Sequence, residues 1–145
     1  MEPDLYFAYG SNLWSARLRG RVPSARARGA ALLTGYALRL DKRGADGSGK
    51  ANLHADANGA VWGVVYALDP AHWPRLDACE PDYARLRIEV ELGGARIAVQ
   101  TYRSDLLLEE PSPLRWYRQL LIDGAREHGL PPEWIASLEA LAIRD

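Results

Sequence analysis

The chain has 145 residues, 48% of them apolar and 26% charged, with a formal net charge of −1. That length suits one domain with a sizeable core, the composition excludes wholesale disorder, and the charge argues against a nucleic-acid or anionic-membrane partner. A lone cysteine, Cys79, excludes an internal disulfide and offers no metal-ligand spacing.

Leu5 to Tyr9 is an apolar run too short for a helix core. Gly10-Ser11-Asn12 follows, then a helix-like pattern from Leu13 to Leu18 stopped by Gly20 and Pro23. This reads as strand, tight turn and helix N-terminus. Such a turn leaves backbone N–H groups at the positive end of a helix dipole, a cradle for a carboxylate or an oxyanion. Gly10 lets the backbone approach a ligand, and Ser11 or Asn12 can cap the helix. Taken alone, the triplet is better explained as an ordinary capped turn. Arg17, Arg19, Arg21, Arg26 and Arg28 read as a solvated face, since aromatics are not interleaved with them.

Ala25 to Leu40 is a long mixed apolar pattern in which Gly29 and Gly35 suggest bulges of a curved sheet. Lys42 to Asn58 reads as a polar, glycine-rich loop, and Val61 to Leu68 as the clearest buried strand. Asp69-Pro70 starts a helix, with Asp as N-cap and Pro at its first position, running through Trp73 and Leu76. Leu86, Ile88, Val90 and Leu92 alternate with charged residues; after Gly93-Gly94, Ile97, Val99 and Thr101 alternate again. Two such strands around a Gly-Gly turn make a hairpin. Pro113 to His128 has helical spacing ended by Gly129, and Pro131-Pro132 opens a second helix through Trp134, Ile135, Leu138 and Leu141.

Strands come early and helices late. The expected fold is α+β: a curled, barrel-like, mainly antiparallel sheet with short flanking helices and C-terminal helices, in a single domain over residues 1–145. No signal-peptide pattern or run of eighteen apolar residues is present, so a cytoplasmic protein is expected.

Familiar catalytic motifs are absent. His54 with Asp56 is better read as a polar loop pair than as metal ligands, and no His-Glu-x-x-His occurs. Gly49-Lys50-Ala51 lacks the hydroxyl of a P-loop, and neither a Gly-x-Ser-x-Gly elbow nor a Gly-x-Gly-x-x-Gly fingerprint is found. An enzyme built from these residues would use neither a metal nor a covalent nucleophile. Among the carboxylates, Glu109, Glu110, Glu127 and Glu139 read as surface residues. Glu80 stands apart, at the end of a short helix, between two strands and near aromatic residues. A carboxylate so placed can be desolvated and hold a proton near neutral pH, although pairing with Arg85 or Arg75 at a helix end is the plainer reading.

Phe7-Ala8-Tyr9-Gly10-Ser11-Asn12-Leu13 resembles the signature loop of the γ-glutamylcyclotransferase (AIG2-like) family. Val61-Trp62-Gly63-Val64-Val65-Tyr66 resembles the family strand that follows. Leu76-Asp77-Ala78-Cys79-Glu80 falls where the family has Leu-Asp-x-x-Glu with its catalytic glutamate. Pro111-Ser112-Pro113 and the run from Gly124 to Pro131 resemble its C-terminal helical segment. These matches come in order and span Tyr6 to Leu141.

The resemblance implies a cofactor-independent enzyme that cyclises the γ-glutamyl group of a small-molecule γ-glutamyl amino acid or amine to 5-oxoproline. The substrate's own α-amino group is the nucleophile. Glu80 is then the general acid/base, and Tyr6, Phe7, Ala8, Tyr9, Gly10, Ser11, Asn12, Leu13 and Tyr117 bind substrate. Tyr83 and Tyr102 divide evenly between pocket and sheet packing. A homodimer is compatible with the resemblance, with Trp14, Trp116 or Trp134 at the interface, but core packing is the better use of each. The alternative is a non-catalytic module that binds a carboxylate or γ-glutamyl ligand on the same fold.

Overall fold

The computed structural model describes residues 2–145. Five strands, β1 (Asp4–Ala8), β2 (Arg26–Arg43), β3 (Gly49–Leu68), β4 (Ala84–Leu92) and β5 (Ala95–Arg103), close into a barrel in the order β1-β3-β2-β4-β5. Every pairing is antiparallel except the β1–β5 seam, which is parallel and pairs Tyr6 with Gln100. Four helices pack outside it: α1 (Ser15–Arg21), α2 (Trp73–Ala78), α3 (Arg115–Glu127) and α4 (Pro132–Glu139). The mainly antiparallel barrel with late helices is the architecture expected from the chain order.

Local chemistry explains most of the element boundaries. Gly29 (φ 141°) and Gly35 (φ 85°) fall at register shifts between β2 and β3, where only a glycine turns the backbone without strain. The β4–β5 hairpin closes at Leu92↔Ala95 around Gly93 (φ 58°) and Gly94 (φ 81°), the paired left-handed residues that a twisted two-residue turn requires. Asp69 accepts a hydrogen bond from the Ala71 N–H at 2.9 Å and caps the 3-10 turn leading into α2.

Three readings of the sequence are corrected. Residues 49–58 are not loop but the first half of β3, and the turn between β2 and β3 spans only 44–48. Ala51 and Leu53 enter the core there, and the polar Asn52 joins them because Ser104 satisfies it. Asn52 Nδ2 donates to the Ser104 carbonyl at 2.8 Å, and the Ser104 N–H donates back at 3.0 Å. The first helix starts later and runs past Gly20, preceded by a 3-10 turn at Ser11–Leu13 that neither Ser11 nor Asn12 caps. Trp14 and Trp116 are exposed rather than core residues, whereas Trp134 packs on the core.

The barrel interior and the α3 face form a single apolar cluster that includes Phe7, Leu13, Leu18, Val64, Tyr66 and Leu121. α3 meets the 3-10 turn backbone to backbone at Gly124. A Cβ there would lie 2.4 Å from Leu13 Cβ and 2.6 Å from the Leu13 carbonyl carbon. Among the described residues no helix is long and apolar enough to cross a membrane.

Candidate active site

β1 delivers the chain to one end of the barrel, where Tyr9 and Gly10 leave the sheet and the 3-10 turn begins. A pocket opens there, lined by Tyr6, Tyr9, Gly10, Ser11, Asn12, Ala51, Glu80, Tyr83, Tyr102 and Tyr117. Gly10 is required by close approach, since an added Cβ would stand 2.9 Å from Ala51 Cβ and 3.4 Å from the Tyr117 hydroxyl. The turn's own hydrogen bonds are donated by Leu13 and Trp14, so the amides of Ser11 and Asn12 lie outside its ladder at the pocket wall.

Glu80 follows α2, and its side chain is 15% exposed. Its Oε1 accepts from Asn12 Nδ2 at 2.9 Å and from Arg21 Nη1 at 3.3 Å. Arg21 Nη1 also donates to Asn12 Oδ1 at 3.2 Å, which closes a triangle and fixes the orientation of the Asn12 amide. Asn12 Nδ2 donates in addition to the Tyr6 hydroxyl at 3.0 Å. Among the described residues nothing donates to Glu80 Oε2. Burial raises the Glu80 carboxyl above the usual glutamate value; Arg21, Asn12, Arg17 and Lys42 oppose it and do not cancel it. The result is a carboxylate with one oxygen fixed and one oxygen available, able to take and return a proton.

The tyrosines divide by where their protons go. Tyr9 donates to the Tyr102 carbonyl, Tyr83 to the Ala51 carbonyl and Tyr102 to Asp77 Oδ1, each at 2.6 Å. Those three are committed to the scaffold, and Tyr9 serves as wall rather than donor. Tyr6 and Tyr117 instead accept, from Asn12 and from the Ala51 N–H at 3.0 Å, and keep their own protons for a ligand. Desolvation holds every one of the five in the neutral form, with Tyr117 pushed up to about 12.

The AIG2-like family model matches residues 60–138. Over 99% of its length the chain is 32% identical to human γ-glutamylcyclotransferase, covering 81% of that protein, and it is 30% identical to the bovine enzyme with the same coverage. The chain belongs to the γ-glutamylcyclotransferase family. A solved γ-glutamyl cyclotransferase structure superposes with a TM-score of 0.93 at 29% identity, over 99% of this chain and 90% of that one. Membership makes the protein an enzyme of this family and sets aside the non-catalytic binding module.

Of the family-derived site residues, the structure gathers Glu80, Tyr6, Tyr9, Gly10, Ser11, Asn12 and Tyr117 at one pocket. Phe7, Ala8 and Leu13 do not line it; their side chains are wholly buried in the core, with the Phe7 ring packed on Gly63. The plainer reading of Glu80 also fails, because Arg85 pairs with Asp77 at 3.2 Å and Glu80 pairs with Arg21. Sequence reasoning missed Arg21 and Arg17, which it placed on a solvated face. Arg17 Nε donates to Ser11 Oγ at 3.0 Å. The one available signal was helical spacing: Arg17 and Arg21 are four apart, so α1 presents both on one side. His54 pairs with Asp41 at 2.9 Å, and no group of potential metal ligands occurs among the described residues.

Proposed function

We propose that this γ-glutamylcyclotransferase family member converts a γ-glutamyl conjugate into 5-oxoproline and a free amine, with Glu80 as general acid and base. The observation that carries the reading is the desolvated Glu80 carboxylate, held by Arg21 and Asn12 through one oxygen and open at the other. The open oxygen takes a proton from the substrate's α-ammonium. The freed amine attacks the γ-carbonyl carbon, forming the ring C–N bond and a tetrahedral oxyanion. Collapse breaks the bond to the leaving nitrogen, which Glu80 protonates. In all, the α-nitrogen gives up two protons in becoming the ring N–H, and the leaving nitrogen takes up two in departing as an ammonium. The proton books therefore balance with no outside reagent.

Holding the glutamyl chain folded back is the larger contribution, worth about 7–11 kcal/mol in favourable intramolecular cases. The Ser11 and Asn12 amides suit the oxyanion or the α-carboxylate. The hydroxyls of Tyr6 and Tyr117 are the free donors of the pocket. Mass spectrometry of the protein incubated with γ-glutamyl amino acids, γ-glutamyl amines and glutathione tests the reaction. Release of 5-oxoproline by the wild type and not by Glu80→Gln is expected. Turnover by a folded Glu80→Gln variant would remove Glu80 from its role.

A further inference from the structure

The run from Gly124 to Pro131 resembles a family segment, yet the described lining of the pocket includes none of its residues. Two of them, Glu127 and His128 at the end of α3, reach Ser15, the first residue of α1. Glu127 Oε1 accepts from the Ser15 N–H at 2.9 Å. His128 Nε2 lies 3.1 Å from Ser15 Oγ and 3.0 Å from the Tyr66 hydroxyl. Tyr66, wholly buried on β3, donates to the Leu13 carbonyl at 2.9 Å. Having given its proton to Leu13, the Tyr66 oxygen is left as an acceptor, and Ser15 Oγ stands 2.9 Å from it. The arrangement assigns the His128 proton to Nε2, from which the Tyr66 and Ser15 oxygens are both served.

The 3-10 turn needs these outside bonds. Among the described residues no side chain caps it or the helix that follows. Its own ladder is two bonds, from the Leu13 N–H to the Gly10 carbonyl at 3.0 Å and from the Trp14 N–H to the Ser11 carbonyl at 3.4 Å. The second is long for a backbone hydrogen bond. Burial works to raise the Glu127 carboxyl, but the bonds from Ser15, with His128 and Arg19 beside them, outweigh it and hold the group below the usual glutamate value. Glu127 is therefore an ionised acceptor for Ser15. The turn so held has two tasks: its Ser11 and Asn12 amides stand at the pocket wall, and the Asn12 side chain donates to Glu80 Oε1.

Resting on the 5-oxoproline chemistry above, we propose that Tyr66, Glu127 and His128 are positioning residues for that reaction. They grip Leu13 and Ser15 from outside and thereby fix the Ser11 and Asn12 amides against the substrate and the Asn12 side chain against Glu80. Among the described residues that line the pocket or bond to Glu80, these three are absent, so their effect on catalysis passes through the turn.

The test is kcat/KM and its pH profile, with the best substrate of the γ-glutamyl panel above, for wild type, His128→Leu, His128→Gln and Tyr66→Phe. Circular dichroism checks that each variant is folded. Gln offers an N–H near the place of His128 Nε2 and does not titrate, whereas Leu offers none. His128→Leu and Tyr66→Phe lower kcat/KM roughly 10- to 100-fold, as a small misplacement of substrate-holding groups does. Both also displace the acid limb upward. A loosened Asn12 no longer opposes the burial of Glu80, while Arg21, Arg17 and Lys42 stay as they are. His128→Gln largely restores rate and limb, which separates the geometry of position 128 from its charge. Folded His128→Leu and Tyr66→Phe variants with wild-type rate and limb overturn the proposal and leave the cyclisation standing. A limb that moves in His128→Leu and stays moved in His128→Gln overturns it too, because the His128 charge is then the cause. No 5-oxoproline from the wild type with any member of the panel overturns both this proposal and the function above. Should His128→Leu and Tyr66→Phe fail to fold, Glu127→Ala, at a side chain 36% exposed, is read in their place by the same criteria.

Discussion

At Glu80, burial and its polar neighbours pull in opposite directions, and burial prevails. Its folded-state affinity for a proton is raised, so in the proposed mechanism the base form that starts the attack is reached only above the ordinary glutamate range. The acid limb of kcat/KM is accordingly expected to lie above that range, with activity rising as pH rises through it. Arg21→Met removes the ion pair and leaves desolvation in place, so a pH–rate profile of that variant should show the limb displaced further upward. Glu80→Gln is expected to lose at least about 10²-fold in 5-oxoproline release, the lower end for a general acid–base group, with an unchanged circular dichroism spectrum. The same residue affects stability. Folded Glu80 keeps its proton at pH values where the unfolded chain has released it, so its stabilising contribution is complete at acid pH and is lost as pH rises through the raised value. Melting curves of Glu80→Gln and wild type should therefore diverge from acid to neutral pH, with the variant relatively more stable at neutral pH. Parallel curves would mean that burial does not perturb this carboxyl.

Among the elements, α3 matters most for the pocket because it is seated on the 3-10 turn that carries Ser11 and Asn12. Gly124→Ala pushes a methyl group into Leu13 and the Trp14 amide, and it should cost about 1–3 kcal/mol by urea denaturation, in the range of core overpacking. The folded fraction should also show a raised KM, since the turn shifts with the helix. Elements with local signals were legible from residue order alone: the Gly93-Gly94 hairpin, the Asp69-Pro70 cap and the stop at Gly129 (φ 64°) each depend on a few adjacent residues. The first half of β3 was not, because its polar residues are satisfied at long range: Asn52 by Ser104, and His54 by Asp41. For the site, the turn and Glu80 were legible through the family's motifs. Arg21 was not, because its partner lies 59 positions away, and no local pattern distinguishes an arginine that faces a carboxylate from one that faces water.

In the whole molecule, the barrel centre and the hairpin end should differ in local stability. β1 lies between β3 and β5, with Phe7 and Ala8 wholly buried, whereas the 44–48 turn joins only the ends of β2 and β3. Native-state hydrogen exchange should find the amides of β1 and of Val64–Tyr66 slowest, opening only with global unfolding, and those of the turn fastest. Equal protection at the two places would show that the barrel opens as one unit. The net charge of −1 is spread so that Arg17, Arg21 and Lys42 all act on Glu80, giving a near-neutral molecule one locally cationic pocket.

The β1–β5 seam also constrains how the protein is made. β1 leaves the ribosome before the other strands, yet its neighbours in the barrel are the end of β3 and, through Gln100, β5. The pocket then needs Tyr117, from a helix later still. Contacts of such sequence separation make folding slow relative to helical proteins of this size. A nascent chain that stops before α3 has all five strands but lacks Tyr117, so its pocket is incomplete. Catalytic competence is thus acquired only once α3 has been made, and chaperone dependence and codon-level pausing should act on the interval between β1 and α3.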